Sequence, residues 1–193
     1  MPALLRRTAW PTLVLAAALL LASSASATSV RFLDTKDLTL ESDDIVVGEV
    51  QSVRSYWNPA HSKIFTDVEV KVSRSLKGAG PGTLTLTQLG GVVGSARYNV
   101  PGCPMFKPGE ESLLFVWRDS HGRAQVNALA QGKFDIHRDP VTGEGLVQRA
   151  IPGLGVRDVK TLRAVPAGQP MPRLKLDDLV LEITRTLVLE ANQ

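Results

Sequence analysis

The side chains able to do chemistry are few and scattered. The histidines are His61, His121 and His137; two fall in turn-like stretches and one at the end of a predicted strand. None belongs to a His-Glu-x-x-His pattern, and a lone cysteine rules out a paired-thiolate metal site. Cys103 lies between Gly102 and Pro104. A nucleophilic thiol needs a neighbouring base and a lowered pKa, and nothing in its spacing supplies them. The carboxylate pairs Asp43-Asp44 and Glu110-Glu111 are adjacent in sequence. On a strand, adjacent side chains point to opposite faces, so neither pair gives the two facing carboxylates of a glycosidase. Ser95 follows Gly94 but lacks a Gly-x-Ser-x-Gly elbow. Gly90, Gly91 and Gly94 form a glycine-rich stretch with no helical pattern behind it and no Gly-Lys-Ser/Thr. It reads as a bend where backbones come close, not as a phosphate cradle. No catalytic residue, metal ligand or cofactor is therefore expected. A small hydrolase with a dispersed site is the alternative; it requires a deep pocket where His121 or His137 meets a carboxylate or Cys103.

Contact residues are a better prospect. Large aromatics are favoured at interfaces, and Tyr56 and Trp57 sit in a loop marked by Asn58-Pro59. Arg97, Tyr98 and Cys103 occupy a second loop, Gly90 to Pro104. Thr28 is a third candidate, as the first residue after an expected cleavage site.

Positioning these residues falls to β-strands. Ile45 to Val53 is rich in β-branched residues, and Gly48 inside it predicts a bulge or tight bend. Ile64 to Ser73 alternates: Ile64, Val68, Val70 and Val72 face one way, and Phe65, Asp67, Glu69 and Lys71 the other. Thr83 to Leu89 is a third strand. Glu111 to Trp117 is apolar on both faces, which predicts a strand covered on both sides, with the C-terminal segment as its cover. Gln125 to Ala130 and Lys133 to His137 are strand-like, and Leu146 to Ile151 is a candidate closing strand. Leu38 and Leu40, in a polar lead-in, suggest a strand or short turn packed on the barrel. Pro152 to Arg173 is broken by prolines and glycines and reads as a linker. In the last segment, 174–193, a helix is expected from Leu176 to Glu190, with Asp177 and Asp178 in its first turn. Leu176, Leu179, Val180, Ile183 and Leu187 share one face, and Leu181, Val188 and Leu189 lie off it.

The chain has 193 residues and a net charge of +3. Its first 27 residues read as a signal peptide. Arg6 and Arg7 form a basic start, Trp10 to Ala22 an apolar run, and Ala25-Ser26-Ala27 a small-x-small cleavage site. Removal of that segment takes away two arginines and no acid, leaving a net charge of +1. A nucleic-acid partner is not expected on that balance. The remainder suits one domain, residues 28–151, followed by the linker and the helix. The expected location is the periplasm or the extracellular medium, with no stable membrane insertion.

Two stretches carry a family resemblance. One is Asp44 to Val53 followed by Phe65 to Val72 and Leu76-Lys77-Gly78; the other is Phe106 to Glu110, Leu113 to Val116 and Leu129 to Phe134. Together they resemble a group of exported bacterial proteins and, more distantly, the netrin-like domain of tissue inhibitors of metalloproteinases. The resemblance covers roughly residues 44–137. It implies a mainly β fold: a small antiparallel OB-like β-barrel with a C-terminal α-helix packed on it. It does not carry over the inhibitors' mechanism, in which a disulfide-pinned N-terminal cysteine meets the target's zinc, because Thr28 stands at the expected N-terminus and no disulfide is possible. The function expected is a non-enzymatic protein-binding module for a secreted or periplasmic client, with a protease as the most specific guess. Glycan binding on the barrel face is a further alternative.

Overall fold

A computed structural model describes residues 29–80, 82–149, 155–157, 164–165 and 172–192. The expected signal peptide and Thr28 lie outside the described residues.

Five strands close a barrel. They are β2 (Asp44–Trp57), β3 (Ile64–Lys77), β4 (Thr83–Leu89), β7 (Glu111–Arg118) and β8 (Ala124–Val126). Their order around the barrel is β2-β3-β4-β8-β7 and back to β2. Every pairing is antiparallel except β4–β8, which meets in parallel at Leu86 and Ala124. The fold is thus mainly β and OB-like, as the sequence leads one to expect. Strand β2 bends through three register irregularities, one of them between Val47 and Gly48. A Cβ at Gly48 would stand 2.7 Å from the Lys71 carbonyl oxygen, so the close approach there requires glycine.

The remaining strands flank the barrel. Between β4 and β7 lies a hairpin, β5 (Gly91–Val93) and β6 (Ala96–Tyr98). Beyond β7 the sheet continues through β9 (Lys133–Arg138), β10 (Gly145–Arg149) and β13 (Leu174–Lys175). A separate small sheet joins β1 (Ser29–Arg31), β11 (Gly155–Arg157) and β12 (Ala164–Val165). The last two are short strands inside the stretch read as a linker, and β13 is a strand at the start of the segment read as helical.

Strand β7 belongs to two cores. Leu114 and Val116 point into the barrel with Val46, Val50, Val68 and Leu86. Leu113 and Phe115 point outward, into a layer with Phe134, Val147 and two helices. Those helices are α1 (Thr35–Glu41) and α2 (Leu176–Ala191). The cover expected for the two-faced strand is therefore present, and it is the C-terminal helix. Leu176, Leu179, Val180 and Ile183 are its buried residues, while Leu181, Val188 and Leu189 are exposed. An isolated helix of this length is marginal in water; burial of four aliphatic side chains, at up to ~1.5–3 kcal/mol each, outweighs that.

Three expectations change. The segment around Leu38 is neither strand nor turn but α1: Asp34 caps it by accepting from the Asp37 N–H at 2.8 Å. Lys77 Nζ donates to the carbonyls of Thr39 and Leu40, at 2.9 and 3.2 Å, closing its other end. The strand expected over Gln125 to Ala130 stops at Val126, because Ala128 and Leu129 turn to positive φ and lead into a short 3₁₀ turn, Leu129–Gly132. The expected closing strand, here β10, pairs with β9 on the sheet extension; β8 closes the barrel instead.

One buried amide ties the N-terminal segment to this frame. Gln131 Oε1 accepts from the Leu33 N–H (3.0 Å) and from Arg149 Nη2 (3.2 Å), while its Nε2 donates to the Arg31 carbonyl (2.9 Å). Arg149 Nη2 also donates to the Leu33 carbonyl at 2.8 Å. Gln131 is fully buried, so its loss would take this partner from the Leu33 N–H and the Arg31 carbonyl and leave Arg149 Nη2 with the Leu33 carbonyl as its acceptor. Gln131→Leu is expected to destabilise the fold by about 2–4 kcal/mol. Urea unfolding with an unchanged m-value checks this.

Candidate functional site

The β2–β3 hairpin overshoots the barrel. On one side β2 pairs with β3 along its length; on the other it pairs with β7 only from Asp44 to Glu49. The loop before β7 extends that side by one residue, through bonds between Val50 and the backbone of Gly109 and Glu110. From Ser52 to Trp57, β2 has no second neighbouring strand among the described residues. Ladder alternation fixes which peptide groups are left open. The Gly90 N–H donates to the Ile64 carbonyl at 2.8 Å, so Ile64 turns its peptide group toward β4. Thr66 and Val68, at steps of two, do the same. Their partners across β2–β3 are Trp57, Ser55 and Val53, which therefore present N–H and C=O to the open edge.

Asn58 stiffens the hairpin tip, its Oδ1 accepting from the N–H groups of Ser62 (2.8 Å) and Lys63 (3.0 Å). Trp57 stacks on His61 there, with ring centres 6.0 Å apart. Tyr56 faces the opposite way from the cavity described next. Its ring stacks on Phe65 at 6.3 Å and its hydroxyl donates to Asp67 at 3.2 Å. Burial, then Asp67, pushes the Tyr56 phenol above its usual range.

The β5–β6 hairpin lies over the overshooting end of β2 and β3. A Cβ at Gly91, where φ is +139°, would collide with the hydroxyls of Ser55 and Thr66. Those hydroxyls bond each other at 2.8 Å, and Thr66 donates to the Gly90 carbonyl at 2.6 Å. Between this hairpin, the strand faces and the loop leading to Phe106 is a cavity of about 220 Å³. Val53, Val68, Leu89 and Phe106 supply apolar walls, and no charged side chain lines it. Gln88, 7 % exposed, also lines it, and its Nε2 is buried with no hydrogen-bond partner. Cys103 is a wall residue whose Sγ donates to the Leu89 carbonyl at 3.4 Å. Burial pushes its thiol pKa up, which opposes nucleophilic use.

Of the residues expected to make contacts, Tyr98 and Cys103 meet at this cavity. Tyr56 and Trp57, expected in a loop, are instead the last residues of β2, paired with Phe65 and Ile64 on the neighbouring hairpin; Arg97 and Tyr98, also expected in a loop, lie on β6, where Arg97 is exposed and does not line the cavity. Sequence reasoning missed Gln88 and the open edge. A glutamine in a Thr-rich alternating strand carries no mark of lacking a partner, and an open edge depends on where β7 ends.

No hydrogen bond joins a histidine ring to a carboxylate or to Cys103 among the described residues. His121 is exposed in a hairpin turn, its Nδ1 3.3 Å from Ser120 Oγ. His137 lines an open groove with Glu110, Glu111 and Asp135, yet no hydrogen bond joins it to a carboxylate among the described residues. In that groove buried Lys133 bridges Glu110 and Asp135 and sits over the Phe106 ring. Burial raises the Glu110 pKa; its hydrogen bond with Asp135 raises it further and Lys133 opposes both. Neither histidine lines the cavity of Cys103. Among the described residues no cluster of three or more His, Cys, Asp or Glu is placed to hold a metal ion.

No protein-family model matches the chain, and no match is found among curated proteins.

Gly91→Val is expected to lift the hairpin from Ser55 and Thr66. Stability should fall by about 1–3 kcal/mol, and alkylation of Cys103, followed by mass spectrometry, should become faster.

Proposed function

We propose that this protein is a non-enzymatic binding module, exported from the cell, that captures an extended segment of another exported protein by strand addition. The observation carrying the reading is the open edge of β2, where Val53, Ser55 and Trp57 offer three unpaired peptide groups in a row. Main-chain pairing at such an edge supplies affinity, and side-chain pockets beside it supply selectivity. Half-buried Trp57, exposed Tyr98 and exposed Met105 flank or rim this end of the barrel. Export rests on the basic-apolar-small pattern of residues 1–27. The resemblance to the netrin-like domain of metalloproteinase inhibitors makes a protease the first client class to test.

A second reading, glycan binding, draws on the outer face of the same hairpin. There Tyr56 and Phe65 stack at an interplanar angle of 29°, and the Asp67 carboxylate accepts from both Tyr56 and Thr87. OB-type barrels bind oligosaccharides on comparable faces.

Val53→Pro separates the two. Proline at an edge position whose N–H faces solvent is tolerated, so the melting temperature should hold within a few degrees. Capture from the exported fraction of the source cells should be lost. In the wild type, adding the captured protein should slow hydrogen exchange at Val53, Ser55 and Trp57. Retained capture by the proline variant, or protection elsewhere, rejects strand addition. Binding to a glycan array that Tyr56→Ala abolishes would select the second reading.

A further inference from the structure

The open edge of β2 is complementary to itself. Its outward peptide groups belong to Val53, Ser55 and Trp57, at steps of two. Two such edges can meet antiparallel about a two-fold axis. Open groups must then face open groups, which leaves three places for the axis: Arg54, Ser55 or Tyr56. At Ser55 the match is complete. Ser55 faces Ser55 of the second copy, Val53 faces its Trp57, and Trp57 its Val53. Each pair exchanges both of its N–H···O=C bonds, so every open group is used. An axis at Arg54 sets two guanidinium groups directly opposite each other, and like charges in that relation are destabilising. It also leaves Trp57 facing Gln51, in the irregular stretch between Val50 and Ser52. An axis at Tyr56 leaves Val53 facing beyond the end of the strand, which is Trp57.

The side chains agree with the Ser55 axis. Val53 is 37 % exposed, and the Trp57 ring of the second copy would stand across from it on the same face. On the other face Arg54 would meet Tyr56 of the second copy. Arg54 already makes that kind of contact within its own chain, its guanidinium lying 5.7 Å from the centre of the Tyr56 ring. The two Arg54 residues become diagonal neighbours, ~7–8 Å apart, and each has its own Asp67 carboxylate at 4.0 Å to balance it. Ser52 to Trp57 carries no proline and one charge, Arg54, which is little protection against edge pairing. Because the hairpin projects past the last residue of β7 paired to it, β7 does not lie between the two strands.

We propose that two copies of this chain associate through this edge, as an antiparallel β2–β2 pair about a two-fold axis at Ser55, joining their β2–β3 hairpins into one continuous sheet. The same patch serves both copies, so the assembly closes at two and does not grow. The dimer does not rest on strand capture. Where both occur, a client competes with the second copy for one edge.

The test uses the full chain purified from its own cells, with no client added. Sedimentation equilibrium from micromolar to millimolar protein should show a reversible monomer–dimer equilibrium and no larger species. Val53→Pro removes the Val53 N–H from both strands and should weaken association about tenfold or more. Register is read by cross-linking. Opposed residues outside the hydrogen-bonded pairs stand ~4.5 Å apart at Cα, within disulfide range. With Cys103→Ser in both, a chain carrying Arg54→Cys and one carrying Tyr56→Cys should oxidise to a mixed disulfide, faster than either chain cross-links with itself. A monomer at every concentration overturns the proposal. So does unchanged association of the proline variant, or faster cross-linking of Arg54→Cys with itself than with Tyr56→Cys. The cross-link stands even if the proline variant fails to fold. A monomeric result leaves the edge to a client, so strand capture survives the failure of the dimer.

Discussion

Everything in this fold depends on β7 being buried on both faces. A strand of an antiparallel barrel has an inside and an outside, and the outside is ordinarily wet. Leu113 and Phe115 are fully buried on that outside, so the barrel needs a second layer. The chain builds it from sequence neighbours of both termini, α1 and α2, laid across β7, β9 and β10. A barrel of five strands, one only three residues long, has a small interior; the outer layer gives it a second core of comparable extent. Loss of α2 would expose a continuous apolar surface, which soluble proteins rarely tolerate.

Polar groups finish what apolar packing begins. Asp44, nearly buried at the start of β2, receives Nε and Nη2 of Arg118 at 3.0 and 2.7 Å, pinning the end of β7 to the strand beside it. Gln131 and Arg149 act likewise on the opposite side, where they hold the chain ahead of α1. Arg149 is the exception to easy pairing. It packs over the rings of Phe32 and Phe134, its Nε lacks a partner among the described residues, and burial lowers its pKa to about 10. Guanidinium is the cation best suited to such a place, because it is weakly hydrated and stacks on aromatic faces.

The sequence carried the parts of this architecture that are set by periodicity. Alternation in β3 and β4, the two-faced composition of β7 and the aliphatic stripe of α2 all map onto burial in the structure. What it did not carry were features set by a partner strand or a few dihedral angles. Residues 125–130 have strand-like composition, yet positive φ at Ala128 and Leu129 ends β8 early. Leu38 lies in a short helix because Asp34 supplies a cap, a choice local hydrophobicity does not report. Of the candidate site, Tyr98 and Cys103 were legible as members of a glycine-rich loop. Gln88 was not, because whether an amide is satisfied is a property of everything around it.

Two of the unmet hydrogen-bonding features among the described residues, the open edge of β2 and Gln88 Nε2, lie near one another, and their contrast with most of the chain is informative. Elsewhere the chain spends side chains on closing backbone groups: Lys77 on the end of α1, Asn58 on the hairpin tip, Gln131 on the strand entering the fold. At the barrel mouth it does the reverse. β2 runs past its neighbour and leaves three peptide groups open, and Gln88 Nε2 is buried without a partner among the described residues. A long exposed edge invites wrong pairing, and leucine in place of Gln88 would pack without an unpaired donor. Places where a sequence departs from its own local rules are where function is to be sought. Both departures lie within reach of the β2–β3 hairpin.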